Sequence, residues 1–226
     1  MTNQEWINRA ALYELLALGF LKVAREFVEV VDSGEYAEAL AEIGTACGLN
    51  EVVVKTSVEE LSCYTGIVGT DAKDAEGIGQ GALFHELRIE YTRLFVGAPE
   101  PAVSPYAGVW WAKQVGVEPL LFVNKESMAV ERFMRSCGVG QPEGTNEPLD
   151  HIGSELEFLQ YLSLLRAEAA IPPEGVSIPK DAYEGFYREH FIGFAHKFAA
   201  ATMTLSRAPF YRAIARVLAA LPEAPL

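Results

Sequence analysis

The residues Glu147–Ile152, with Glu155 just downstream, have the types and spacing that could do chemistry. If they open a helix, His151 and Glu155 lie on one face as i and i+4 neighbours. Such a pair could hold a metal ion or transfer a proton, and a helix N-terminus would stabilise Asp150 in the first turn by about 0.3–1 kcal/mol. A catalytic zinc, however, needs three protein ligands and an open position. A helix cap with a surface pair is the structural alternative.

A second stretch could bind rather than catalyse. Residues 90–95 read Glu-Tyr-Thr-Arg-Leu-Phe, a polar helix end, and a loop at 97–106 follows with Pro99, Pro101, Pro105 and Tyr106. Proline removes backbone donors and biases the preceding residue away from helix. Large apolar side chains held in such a loop are costly to expose unless something binds there. The alternative is a stiff connector between two helical lobes, with Tyr106, Trp110 and Trp111 in the core.

Other signals for catalysis are weaker. The glycine-rich stretch 77–81 precedes a helix, so its amides could meet a phosphate. It lacks the Lys-Ser/Thr of a phosphate loop and follows no strand, which favours a flexible linker. Ser104 and Ser154 have no nucleophile-elbow context. We therefore predict no enzyme activity, no bound metal and no cofactor.

Composition narrows the class of partner. The 226 residues include 31 acidic and 18 basic side chains, for a formal charge of −13. This balance argues against sequence-independent nucleic-acid binding, which needs a basic face. It suits neutral or basic partners. Cys47, Cys63 and Cys137 form no Cys-x-x-Cys pair, so we expect free, mostly buried thiols in a reducing compartment.

The N-terminal apolar run Leu15–Leu21 resembles a signal core only superficially. Glu5 and Glu14 flank it, no small-residue cleavage site follows, and a membrane span needs about 20 residues. We expect a cytoplasmic protein without stable membrane insertion.

Almost every periodic stretch has the apolar spacing of a helix. The predicted helices lie around Trp6–Phe20, Phe27–Val31, Tyr36–Ile43 and Val58–Tyr64, from Ala82 to Phe95, from Met128 to Cys137, from Pro148 to Ala170, and through Phe186–Phe198 and Phe210–Leu218. Thr2 or Asn3 is the predicted cap of the first helix. Ser57 is the predicted cap of the helix around Val58–Tyr64, with Glu60 at capping-box distance. Residues 66–80 and Gln141–Glu147 are predicted loops.

The strand-like stretches Val52–Val54 and Leu120–Val123 are too short and isolated to build a sheet. The prediction is therefore an all-α fold of about ten helices in one domain over residues 1–226. It allows an N-terminal lobe at 1–115 and a C-terminal lobe at 116–226.

Taken together, the two stretches resemble the TorD/DmsD family, cytoplasmic chaperones for the maturation of molybdenum oxidoreductases. The resemblance rests on Glu90-Tyr91-x-Arg93-Leu94-Phe95 with the proline loop, and on Glu147-Pro148-x-Asp150-His151. It begins at Leu12–Ala17 and ends at Phe210–Ala215. It implies an all-helical fold and binding of the twin-arginine signal peptide of a molybdopterin oxidoreductase precursor, whose export is delayed until the cofactor is in place. It also implies a monomer or a helix-exchanged homodimer.

Carried over residue by residue, the resemblance places a peptide-binding pocket at Tyr91, Leu94, Phe95, Pro105, Tyr106, Asp150 and His151. Two guanidinium groups followed by an apolar stretch call for an apolar groove beside carboxylates. On this interpretation Asp150 supplies the charge, with Glu147 or Glu155 as helpers, and His151 makes binding sensitive to pH. Two rival hypotheses remain: a helical metal-dependent enzyme using His151 and Glu155, and a helical scaffold without a peptide pocket.

Overall fold

The computed structural model describes residues 1–66, 78–117, 124–141 and 148–224. Within these ranges the regular structure is helical and contains no strand, which confirms the all-α prediction. The elements are α1 (Asn3–Phe20), α2 (Arg25–Asp32), α3 (Glu35–Ala46), α4 (Glu51–Ser62), α5 (Ile78–Tyr91), a π-helical turn (Thr92–Val96), α6 (Ala107–Val115), α7 (Lys125–Ser136), α8 (Ile152–Arg166), α9 (Ala182–Phe186), a second π-helical turn (Tyr187–Phe191), α10 (Ile192–Leu205) and α11 (Pro209–Ala219).

The first helix begins as its sequence predicts. The Thr2 side chain accepts from the Glu5 amide and the Glu5 carboxylate accepts from the Thr2 amide, which forms a capping box. The helix then packs along α8, while α11 packs against α10 and α4. One apolar cluster includes Trp6 of α1 and Leu218 of α11, so buried side chains of both predicted lobes contribute to it. The division into lobes stays a prediction.

The fourth helix corrects the sequence-based boundaries. It begins at Glu51, and the Asn50 side chain caps it by accepting from the Val52 amide. Ser57, predicted as the cap, is a buried interior residue whose hydroxyl donates to the Ala213 carbonyl at 3.2 Å. The stretch Val52–Val54 is helical, while Leu120–Val123 lies outside the described residues.

Other boundaries also move. Helix α5 begins at Ile78, so residues 78–81 are helical rather than a flexible linker, and its last predicted turn is the π-helical turn Thr92–Val96. Helix α7 begins at Lys125 behind an Asn124 cap, and α8 begins only at Ile152. Most of the two predicted loops, at 67–77 and 142–147, lies outside the described residues.

No helix in the described parts of the chain is both long and apolar enough to cross a membrane. The three cysteines are free thiols, but only Cys137 is fully buried; Cys47 is half-buried and Cys63 is exposed. The prediction of free thiols is confirmed, and the expectation that most are buried is wrong.

Candidate functional site

A groove of about 610 Å³ lies between the end of α5, the proline loop and the start of α8. We call it the proline-loop groove. Five of the seven predicted pocket residues line it, namely Tyr91, Phe95, Pro105, Tyr106 and His151. Its volume is within the range of about 300–1,000 Å³ that is usual for ligand sites.

The first wall comes from the end of α5 and the π-helical turn. The Tyr91 ring lies 5.4 Å from the Phe95 ring, measured between centroids. Phe95 in turn packs against Phe198 and Tyr211, each at 5.5 Å, so the floor of the groove continues into the core. Leu94, predicted as a pocket residue, is completely buried and does not line the groove. Leu94 belongs instead to the apolar core.

The Glu90–Arg93 ion pair holds this turn in place. Both Glu90 carboxylate oxygens accept from the Arg93 guanidinium at 2.8 Å, and Oε1 also accepts from the Arg207 amide at 2.6 Å. The Arg93 guanidinium donates further to the Leu205 carbonyl at 2.7 Å. Although burial opposes it, the hydrogen bonds from Arg93 and Arg207 lower the pKa of Glu90. These contacts clamp the groove wall to the α10–α11 connection.

The proline loop forms the second wall. Its start is tied to the π-helical turn, because the Val103 amide donates to the Leu94 carbonyl at 2.8 Å. Gly97 has a φ of 45°, and a Cβ there would lie 2.3 Å from the Glu100 carbonyl oxygen. Only glycine fits this position, so it sets the path of the loop. At its far end, the indole of the half-buried Trp110 donates to the Ser104 carbonyl at 2.7 Å.

The third wall is the chain just before α8, which pairs directly with the proline loop. The Ile152 amide donates to the Pro105 carbonyl at 2.8 Å, and the Ala107 amide donates to the Asp150 carbonyl at 2.9 Å. The resulting isolated bridge joins Tyr106 and His151. The two stretches singled out in the sequence are thus adjacent in space.

His151 is the N-cap of α8 and is not a residue within the helix. Its Nδ1 accepts from the Gly153 amide at 3.0 Å. The expected side-chain pair of His151 and Glu155 is not hydrogen-bonded, because neither Glu155 carboxylate oxygen has a partner among the described residues. Asp150 lies before the cap rather than in the first turn. Only 4% of His151 is exposed, at the edge of the groove. The sequence identified the residue but not this capping role.

Asp150 is turned away from the groove, contrary to the expected surface charge. It is 1% exposed, and its Oδ2 accepts from the Gly108 amide at 2.9 Å and from the Ser127 hydroxyl at 2.5 Å. Burial raises the pKa of Asp150, although those two hydrogen bonds oppose the rise. The carboxyl group thus ties the beginnings of α6 and α7 to the segment before α8.

Glu155 is also unavailable to a ligand in the groove. It is completely buried, and neither carboxylate oxygen has a hydrogen-bond partner in the part of the chain that the structure describes. Burial, reinforced by repulsion from Asp150 and Glu126, raises its pKa well above the usual range. Glu147, the other expected helper, lies outside the described residues. In the described chain no three His, Cys, Asp or Glu residues are grouped so that they could hold a metal.

The charged side chains that do line the groove were missed by the sequence reasoning. They are the cations Lys22, Arg88 and Lys113 and the carboxylate Glu100, all exposed. They come from four separate parts of the chain, so no local motif marks them. The lining is consequently more cationic than the overall charge of −13 implies.

Comparison with known proteins supports one family. The family model for the nitrate reductase delta subunit matches residues 64–200, which include all the groove residues except those around Lys22. "Chaperone protein TorD" of Photobacterium profundum is 27% identical over 135 residues, which is 60% of this chain and 60% of that protein. "Chaperone protein TorD" of Vibrio cholerae is 24% identical over 211 residues, which is 93% of this chain and 86% of that protein. The match thus spans less than two thirds of the first relative and most of the second.

Proposed function

We propose, from the premise that the chain belongs to the nitrate reductase delta subunit family of TorD/DmsD redox-enzyme maturation chaperones, that the proline-loop groove binds a twin-arginine signal peptide. The peptide would come from the precursor of a molybdopterin oxidoreductase. Binding would take place in the cytoplasm and would delay export until the cofactor is inserted. The chain acts as a chaperone, the role that the names of its relatives state, and not as an enzyme.

The observation that carries this proposal is the composite groove. Tyr91 and Phe95 from one sequence motif line the same groove, of about 610 Å³, as Tyr106 and His151. Aromatic side chains offer a large contact area for the apolar stretch of a signal peptide. An amphipathic segment that orders on binding loses about 2–5 kcal/mol of the gross interaction energy. Affinity should therefore be moderate, which permits release.

The proposal is tested by fluorescence anisotropy with a labelled leader peptide of a twin-arginine molybdoenzyme precursor. Tyr106→Ala removes a half-buried ring that lines the groove, and we expect it to weaken binding at least tenfold. The matched control is Ile171→Ala, which removes an apolar side chain that is 87% exposed and lines a separate cavity. Equal affinities for wild type, Tyr106→Ala and Ile171→Ala would refute groove binding and favour a scaffold without a peptide pocket.

The remaining hypotheses are separated by other measurements. A helical metal-dependent enzyme using His151 and Glu155 predicts stoichiometric zinc or iron in the purified protein. The monomer and the helix-exchanged homodimer are separated by analytical ultracentrifugation across a concentration series.

A further inference from the structure

Recognition of arginine in the groove requires an accessible carboxylate, which neither Asp150 nor Glu155 provides. They are 1% and 0% exposed, so neither carboxylate is accessible to a guanidinium of a bound peptide. Among the described residues that line the groove, Glu100 is the one with an exposed carboxylate.

The backbone around Glu100 is held firmly. The residue lies between Pro99 and Pro101, and Gly97 packs against its carbonyl oxygen. The Ala102 amide donates to the Arg93 carbonyl at 3.3 Å, which ties the loop to the clamped π-helical turn. The Glu100 side chain makes no hydrogen bond or ion pair with the described part of the chain. A fixed backbone with an uncommitted carboxylate suits recognition of a guanidinium.

The cations of the groove are distributed unevenly around it. Glu100 borders both the proline-loop groove and a shallower neighbouring depression that contains the exposed side chains of Ile89 and Val96. Lys22 and Lys113 border the proline-loop groove alone. Arg88 borders both, but its guanidinium lies 5.7 Å above the Phe84 ring, which is outside either lining. Lys22 and Lys113 therefore line the groove but not the depression that Glu100 also borders.

We propose, on the premise of the proposed function, that Glu100 is the specificity residue for an arginine of the bound peptide, and that Lys22 and Lys113 disfavour an arginine elsewhere on the groove lining. An arginine of the peptide contacts the Glu100 carboxylate, and the apolar stretch runs over Tyr91, Phe95 and Tyr106. Lys22 and Lys113 repel a guanidinium placed beside them, so peptide poses that bring an arginine there are disfavoured.

The test is a double-mutant cycle read by fluorescence anisotropy. One probe is a labelled peptide with two adjacent arginines followed by a leucine- and alanine-rich stretch, and the other carries glutamines in place of the arginines. We expect Glu100→Gln to weaken binding of the arginine peptide about fivefold, as for a partly exposed charge pair. The affinity for the glutamine peptide should stay unchanged. Glu174→Gln, which removes an exposed charge outside the groove, should change neither affinity.

Lys22→Gln and Lys113→Gln should change the affinity for the arginine peptide in the opposite direction. Each should strengthen binding of the arginine peptide by about two- to threefold, because each removes a repulsive charge. Equal weakening of both peptides by Glu100→Gln would overturn the assignment of Glu100. Tighter binding of a peptide carrying two glutamates would overturn it as well, because the cations would then dominate.

Failure of the inference can be told from failure of the proposed function. If the arginine peptide binds wild type and Tyr106→Ala abolishes binding, but Glu100→Gln has no effect, the groove function stands and the role of Glu100 is refuted. If wild type binds neither peptide nor the leader peptide, the proposed function fails and this inference fails with it.

Discussion

The rings of Tyr106 and His151 meet edge to face, with their centroids 5.5 Å apart and their planes at 71°. The contact joins the end of the proline loop to the N-cap of α8, and backbone hydrogen bonds from Ala107 and Ile152 flank it. Groove shape and the start of α8 are therefore coupled. A change that loosens the cap should be felt in the groove.

Replacing His151 tests this coupling. His151→Ala removes both the ring and the cap acceptor and should destabilise the protein by about 1 kcal/mol. His151→Asn keeps an acceptor for the Gly153 amide and should recover most of that loss, although the ring contact is gone. Urea unfolding measures both variants. Equal losses for the two would show that the ring contact, and not the cap, carries the stability.

The capping role of His151 also predicts that peptide binding depends on pH. Nδ1 accepts from the Gly153 amide, and a protonated imidazole cannot accept at that atom. Protonation should therefore release the cap and weaken peptide binding in acid. Leader-peptide affinity measured from pH 5.5 to 8 should fall toward acid in wild type and stay flat in His151→Asn. A flat profile in wild type would refute the hypothesis.

Gly108 should tolerate no side chain. A Cβ at this position would lie 2.1 Å from Asn124 Nδ2 and 2.3 Å from the Ser127 hydroxyl oxygen, the group that donates to Asp150. We expect Gly108→Ala to break that hydrogen bond and to cost about 1–3 kcal/mol in urea unfolding. The control is Gly193→Ala in α10, where no atom of the described residues lies within 4 Å of the new Cβ. It should stabilise the protein by about 0.5–1 kcal/mol.

The Glu90–Arg93 pair should stabilise the fold in a pH-dependent way. Arg93→Ala leaves a mostly buried carboxylate without its guanidinium, and we expect a loss of about 2 kcal/mol at neutral pH. The pKa of Glu90 is lowered in the folded state, so the stabilisation is present above the unfolded value of about 4.3 and is lost as the pH falls. The variant should thus converge on wild type in acid. Arg135→Ala, which breaks an exposed pair with Glu131, should change stability by no more than about 0.5 kcal/mol.

Helical periodicity predicted the fold class and most helices, because apolar residues at this spacing share one face only when the chain is helical. The predicted helix boundaries were wrong where a polar side chain could either cap a helix or lie within it. Ser57 has the spacing of a cap, yet its hydroxyl bonds the Ala213 carbonyl of a helix distant in sequence. His151 has the spacing of a helix residue, yet it caps α8. Local pattern cannot choose between these options, because tertiary packing decides.

The sequence motifs singled out segments that form the groove, but they did not predict which charged side chains line it. Five residues of the paired motifs line one groove, because the segments that carry Tyr91 and Tyr106 pack together. The orientation of Asp150 was not predictable, because it depends on hydrogen bonds from Gly108 and Ser127 on two other helices. Lys22 and Lys113 belong to no motif and become part of the site only through the fold.

The contribution of Glu155 to stability changes with pH in the opposite direction to that of Glu90. Its pKa is raised in the folded state, because burial and then the nearby Asp150 and Glu126 disfavour its charge. Folding therefore retains a proton that the unfolded chain loses above about pH 4.3, so this residue reduces stability progressively as the pH rises.

Glu155→Gln removes that titration with little change in shape. We expect the variant to match wild type near pH 4 and to be more stable by about 1–3 kcal/mol near pH 8, measured by urea unfolding at each pH. Glu42→Gln, which alters an exposed glutamate of α3, should show no such divergence. A constant difference between Glu155→Gln and wild type across the pH range would mean that Glu155 keeps the same charge in the folded and unfolded chains. It would then follow that water or another group solvates the carboxylate inside the protein, and the buried acid would impose no penalty at neutral pH.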